Sequence, residues 1–182
     1  MKASEFLRLR LKKLTYSAMF LAIALLLPQV FHQFGDLGRV LLPMHLPVLL
    51  CGFVCGWPWG LAVGLVSPII SSALFGMPPL FPVGVAMIFE LAAYGALTGL
   101  LIKFLPKKIP YIYINLILSM IAGRLVSGAA LFIIAGLGNT EFSFSAFWSG
   151  TIVVAIPGIV IQILLIPPLV VALRRAGLKP DN

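Results

Sequence analysis

The chain has little acid and little charge of any kind. Its 182 residues include 5 Asp and Glu against 13 Lys and Arg, a formal net charge of +8. Charged residues make up 10% and hydrophobic residues 61%, with a mean hydropathy of +1.12. Such a chain has little sequence to spare outside a membrane. The only cysteines are Cys51 and Cys55, spaced i, i+4. Zinc sites use shorter C-x-x-C pairs with further ligands nearby, so these two read as small apolar residues on one helix face. No G-x-x-x-x-G-K-[ST] loop occurs, so the chain is not expected to hydrolyse ATP by itself. H-E-x-x-H is also absent, and Asp36 and Asp181 lie outside the apolar segments. This argues against intramembrane protease chemistry. Ser127-Gly128 and Ser149-Gly150 have no His on a facing segment to activate a nucleophile. Proton pumps string acids along a path, whereas Glu90 stands nearly alone. Neither catalysis nor a cofactor or metal is expected.

The positive charge is not scattered. Eleven of the 13 basic residues fall in three clusters: Lys2, Arg8, Arg10, Lys12 and Lys13; Lys103, Lys107 and Lys108; Arg174, Arg175 and Lys179. Cytoplasmic flanks of membrane helices collect Lys and Arg, so both termini and the middle loop belong on one side, and an even number of spans separates each pair of clusters. This rule absorbs the excess charge, so nucleic acid is not expected as a partner. The basic N-terminus suits anionic inner-leaflet lipids. The apolar run after it lacks a small-x-small cleavage site and reads as a first span rather than a cleaved signal.

A span needs about 20 apolar residues, so the chain accommodates about six. The expected fold is an all-α integral membrane protein of six transmembrane helices with cytoplasmic termini. It divides into a basic amphipathic segment (1–13), a membrane domain (14–173) and a basic tail (174–182). Span 1 covers residues 14–31, span 2 45–56, span 3 60–75, span 4 83–104, span 5 111–137 and span 6 146–173. Spans 2 and 3 form a tight hairpin turning at Trp57-Pro58-Trp59. Three prolines stiffen the loop Gly76-Met77-Pro78-Pro79-Leu80-Phe81-Pro82. Pro157 and Pro167-Pro168 interrupt span 6. The pairs Gly52/Gly56, Gly56/Gly60, Gly60/Gly64 and Gly95/Gly99 fit G-x-x-x-G and read as packing within one bundle.

Two charges lie deep within spans, Glu90 in span 4 and Arg124 in span 5. A charge at the bilayer centre costs ~3 kcal/mol or more and normally faces the bundle interior with a partner. These consecutive, antiparallel spans can bring the two together, either as a structural ion pair or as groups meeting a polar ligand. His45 enters span 2 beside Met44, facing the same outer region. Phe81, Phe89, Tyr94 and Trp148 are candidates to stack on a flat heterocycle. Gln162, about a turn beyond Pro157, can donate and accept in a pocket. A self-sufficient secondary carrier or ion channel using Glu90 and Arg124 is the alternative function class.

The chain resembles the S-components of energy-coupling factor (ECF) transporters over nearly its whole length. Ala18-Met19-Phe20-Leu21-Ala22 is similar to the family's A-x-x-x-A signature. Residues 42–50, Leu-Pro-Met-His-Leu-Pro-Val-Leu-Leu, followed by Gly52, Gly56 and Gly60, are similar to its span 2–3 hairpin. So is the proline loop leading to Phe89-Glu90. The resemblance implies a prokaryotic plasma-membrane subunit that binds a vitamin or vitamin precursor from outside. It then topples while docked on a transmembrane coupling subunit through Ala18 and Ala22, and two separate ATPase subunits drive release. Substrate contacts are expected among His45, Phe81, Glu90, Tyr94, Arg124, Trp148 and Gln162. Pyridoxine-like, pantothenate-like and cobalamin-related ligands all remain open.

Overall fold

The structure is a computed structural model and describes residues 3–33, 35, 41–106, 108–137 and 156–178. Among the described residues there are six helices: α1 Ala3–His32, α2 His45–Cys55, α3 Trp57–Phe75, α4 Val85–Phe104, α5 Ile109–Leu137 and α6 Ile156–Arg175. A kinked π-helical turn, Leu80–Gly84, leads into α4, with Phe81 extended at its start. Among the described residues there is no strand.

Among the described residues, five stretches are long and apolar enough to cross a membrane: Leu7–His32, Trp57–Phe75, Leu80–Phe104, Ile109–Gly136 and Ile156–Arg175. The expected second span differs. At 11 residues, α2 is about 16 Å long, roughly half the hydrocarbon core of ~30 Å. Helix α1 runs unbroken from the basic stretch into the first span, through residues 13 and 14. The turn between α2 and α3 is made by Gly56 alone, at φ 90, ψ 173, a region essentially restricted to glycine. Trp57-Pro58-Trp59 instead form the first turn of α3, where the N–H that proline lacks would have had no partner anyway. Pro157 lies beside the first described residue of α6, at the edge of the described residues, while Pro167 and Pro168 lie inside that helix. Residues 138–155, with Asn139, Glu141 and the start of the expected span 6, lie outside the described residues, as do Asp36 and Arg39.

The short α2 is the hub. Nearly all of its side chains are buried, and it packs against α1, α3, α4 and α6. Bare glycine backbone lets these helices close up. A Cβ on Gly60 would strike the Gly95 carbonyl, one on Gly95 would strike Gly60, and one on Gly52 would strike Thr98. The small-residue spacings are therefore consumed within the bundle. On the α4–α5 contact, Asn115 Nδ2 donates to the Thr98 carbonyl at 3.0 Å and Ser119 Oγ donates to Asn115 Oδ1 at 3.1 Å.

The C-terminal end of α2 lies at the basic end of the bundle. There Phe53 shares a small void with Ile102, Tyr111 and Arg174, and Gly99 abuts the Trp57 backbone. Because α2 runs out halfway, its N-terminus at His45 sits at mid-depth. Among the described residues, no helix continues α2 into the opposite half of the bundle at that position.

Candidate functional site

At the N-terminus of α2 lies a cavity of about 460 Å³, within the roughly 300–1,000 Å³ range of ligand sites. Its wall combines the end of α1 (Pro28, Gln29, His32), the entry to α2 (Leu42 to His45), Ser71 of α3, the loop Met77 to Pro79, and Val83 and Met87 ahead of and within α4. Most of this lining is apolar, with methionines 44, 77 and 87 and prolines 28, 43, 78 and 79. Among the described lining residues none is Asp, Glu, Lys or Arg.

Local chemistry holds the wall in shape. Gly76 ends α3 in the left-handed conformation at φ 69, as helix C-caps favour. Just beyond it, Ser71 Oγ donates to the Met77 carbonyl at 2.7 Å. The Gly84 amide donates to the Pro79 carbonyl at 2.9 Å, closing the kinked turn. Leu42 has φ 49, a strained conformation for a side chain of this kind. Its carbonyl accepts from the His45 amide at 3.1 Å and from Gln162 Nε2 at 3.5 Å. Helix α6 thereby anchors the entry to α2.

The floor is a buried polar cluster. His45 is 2% exposed and Glu90 3%, so neither charge nor ring meets bulk water. One atom, Glu90 Oε1, gathers three partners: Arg124 Nη1 at 3.0 Å, the Tyr94 hydroxyl donating at 3.0 Å, and His45 Nε2 at 3.4 Å. The buried Ser127 hydroxyl also faces the carboxylate. Tyr94 lies on Gly123 of α5, where a Cβ would strike its ring, and its ring centroid is 5.5 Å from that of His45. Pairing explains how two full charges persist at this depth. Unsatisfied polar atoms remain: His45 Nδ1, Arg124 Nε and Nη2, and Gln162 Oε1 are buried without a partner.

The structure thus joins His45, Glu90, Tyr94 and Arg124, with Gln162 bonded to the rim. Phe81 is 68% exposed and Phe89 50%, and neither lines the cavity. Trp148 lies outside the described residues. Ala18 and Ala22 are on the exposed face of α1, while Ser17, Phe20 and Ala24 take the buried one. Met77, Met87, Ser71 and the end of α1 escaped the sequence reading. The signal for the first was present in the proline loop, which reads in the sequence only as a stiff connection. Cys51 and Cys55 are buried free thiols, and the described residues hold no cluster of potential metal ligands.

The shortened α2 leaves a ligand-sized cavity over a buried polar floor, an arrangement suited to binding a small molecule. Residues 12–170 match the family described as ECF transporter, substrate-specific component. The chain belongs to that family. No curated protein and no solved structure matches it. Its family role is to bind substrate for a transporter, not to act as an enzyme.

Proposed function

We propose that the chain captures a vitamin or vitamin precursor from the outer face of a prokaryotic plasma membrane. The cargo occupies the cavity above His45. The cavity itself carries this reading: about 460 Å³ of mostly apolar space ending on a buried histidine whose Nδ1 has no partner. The positive-inside pattern supports the orientation. Lys103, Lys108, Arg174 and Arg175 sit at the helix ends opposite the cavity, so a cytoplasmic basic end places the mouth outside.

Delivery needs partners. With no nucleotide motif in the sequence, ATP hydrolysis falls to two separate ATPase subunits. A transmembrane coupling subunit receives the S-component along the exposed Ala18–Ala22 face of α1, where small side chains let another helix approach closely. Toppling of the loaded bundle against that subunit turns the mouth inward. The His45–Glu90–Tyr94–Arg124 cluster serves both as the structural floor and as the polar end of the site.

The test is calorimetric titration of the purified full chain with a panel of vitamins and precursors. Trp57 and Trp59 lie at the end away from the cavity, so heat is a better readout than their fluorescence. Saturable binding of one compound at nanomolar concentration, on the order of −12 kcal/mol, is the expected result. No saturable heat across the panel, with folded protein, contradicts the proposal.

A further inference from the structure

We infer that the cargo is an uncharged ring compound that donates a hydrogen bond, from an N–H or O–H group, to Nδ1 of His45. This rests on the capture reading above and deepens it.

An ionised carboxylate only accepts hydrogen bonds. Glu90 Oε1, paired with Arg124 Nη1 at 3.0 Å, therefore requires the hydrogen of His45 to sit on Nε2, 3.4 Å away. Arg124 already balances the charge of Glu90, so the imidazole completes a neutral cluster as a neutral ring. In that tautomer Nδ1 holds a lone pair. This atom is buried and unpartnered, on a residue that lines the cavity. A buried acceptor without a donor is costly, and among the described residues none supplies that donor. The ligand does. Glu90 is thus a positioning residue: it selects which face of the histidine chemistry the cavity meets, much as outer carboxylates orient histidines elsewhere.

The lining settles the charge of the ligand. A carboxylate or phosphate needs a cation or several donors when taken out of water. The described wall offers no Lys or Arg. Besides His45 its polar groups are Gln29, the exposed His32 and Ser71, the last already donating to the Met77 carbonyl. The guanidinium of Arg124 is paired with Glu90. The N-terminus of α2 supplies a partial charge of only about half a unit, too little for a full anion in surroundings this apolar. What the wall does offer is three methionines, 44, 77 and 87, whose thioethers adapt to flat rings and make favourable sulfur–aromatic contacts.

The test uses matched pairs that differ by one anionic group, titrated calorimetrically into the full chain. The pairs are pyridoxine and pyridoxine 5′-phosphate, nicotinamide and nicotinate, riboflavin and its 5′-phosphate, and 4-amino-5-hydroxymethyl-2-methylpyrimidine and its phosphate. Binding should fall on a neutral member, at least about tenfold tighter than its anionic mate. Two isosteres of His45 then separate its two nitrogens. H45Q keeps a donor toward Glu90 but loses the acceptor at Nδ1, and H45N keeps an acceptor near Nδ1 but loses the donor. The expected order of affinity is wild type, then H45N, then H45Q, the last about tenfold or more below wild type. Melting of each variant, measured alongside, reports folding separately. Tightest binding by an anionic member overturns this inference and leaves the capture reading standing. So does an H45Q affinity equal to that of wild type. Silence from these pairs with saturable binding of a charged vitamin overturns this inference alone, and silence across the whole panel of vitamins and precursors overturns both.

Discussion

Removing Arg124 isolates what the buried ion pair contributes. The substitution Arg124→Met keeps most of the apolar stem and deletes the Nη1 contact to Glu90 Oε1 at 3.0 Å. Glu90, 3% exposed, is then left with Tyr94, His45 and Ser127, none of which supplies a compensating charge as neutral groups. Breaking a buried pair from one side costs about 3–5 kcal/mol. A chain of this length loses about 2–4 °C of melting temperature per kcal/mol, so the expected fall is about 6–20 °C. Glu90→Gln changes the other side: its amide oxygen still accepts from Tyr94, with no charge to compensate. The double variant carries neither charge and should recover most of the loss, giving a coupling of about 2 kcal/mol or more across the cycle. Thermal unfolding followed by the fluorescence of Trp57 and Trp59 in one detergent reads all four proteins. If the single Arg124 variant melts with wild type, or the double melts with the single, the ion-pair reasoning is wrong.

Three further perturbations address other parts of the account. Ala18→Leu or Ala22→Leu, on the exposed face of α1, should abolish cellular uptake while calorimetric affinity for the cargo stays close to wild type. Unchanged uptake would remove this face from docking. Gly95→Ala places a methyl group against the Gly60 carbonyl and should cost about 1–3 kcal/mol by overpacking. Gly136→Ala, which meets open space, is the control, and equal melting of the two variants would contradict the helix contact described. Liposomes holding this chain alone should show no uptake of bound cargo with or without ATP, whereas sustained uptake would favour a self-sufficient carrier.

The parts of this protein that were legible in the sequence share one physical cause, the cost of burying charge. Glu90 and Arg124 stand out because a membrane span tolerates such residues only when paired. Adjacent antiparallel spans made their contact foreseeable. The basic clusters likewise marked one end of the bundle. His45 was suspected from its place at the start of an apolar segment, but nothing in its neighbours announced that it shares an oxygen atom with Arg124. That depends on α2 being half a membrane thick, which an apolar run of ordinary appearance does not disclose. Phe81 and Phe89 show the converse. Helices here are apolar nearly all round, so periodicity does not separate the lipid-facing side from the interior. Aromatic type alone does not place a ring in a pocket. The methionines of the cavity were hidden for the same reason: they differ little in hydropathy from the leucines that face lipid. The hairpin turn was misplaced by two residues because Trp-Pro-Trp looks like a break, whereas proline in a first helical turn is a good beginning.

The most direct test of the central claim needs no prior choice of ligand. Native mass spectrometry of the full chain, purified from cells grown in rich medium, reports whether one small molecule travels with each copy. The account predicts a single adduct at a one-to-one ratio on wild type and on Ala18→Leu, and its loss or marked depletion on His45→Gln. A folded wild-type chain that carries no adduct, and takes none from a vitamin mixture added back, would contradict it.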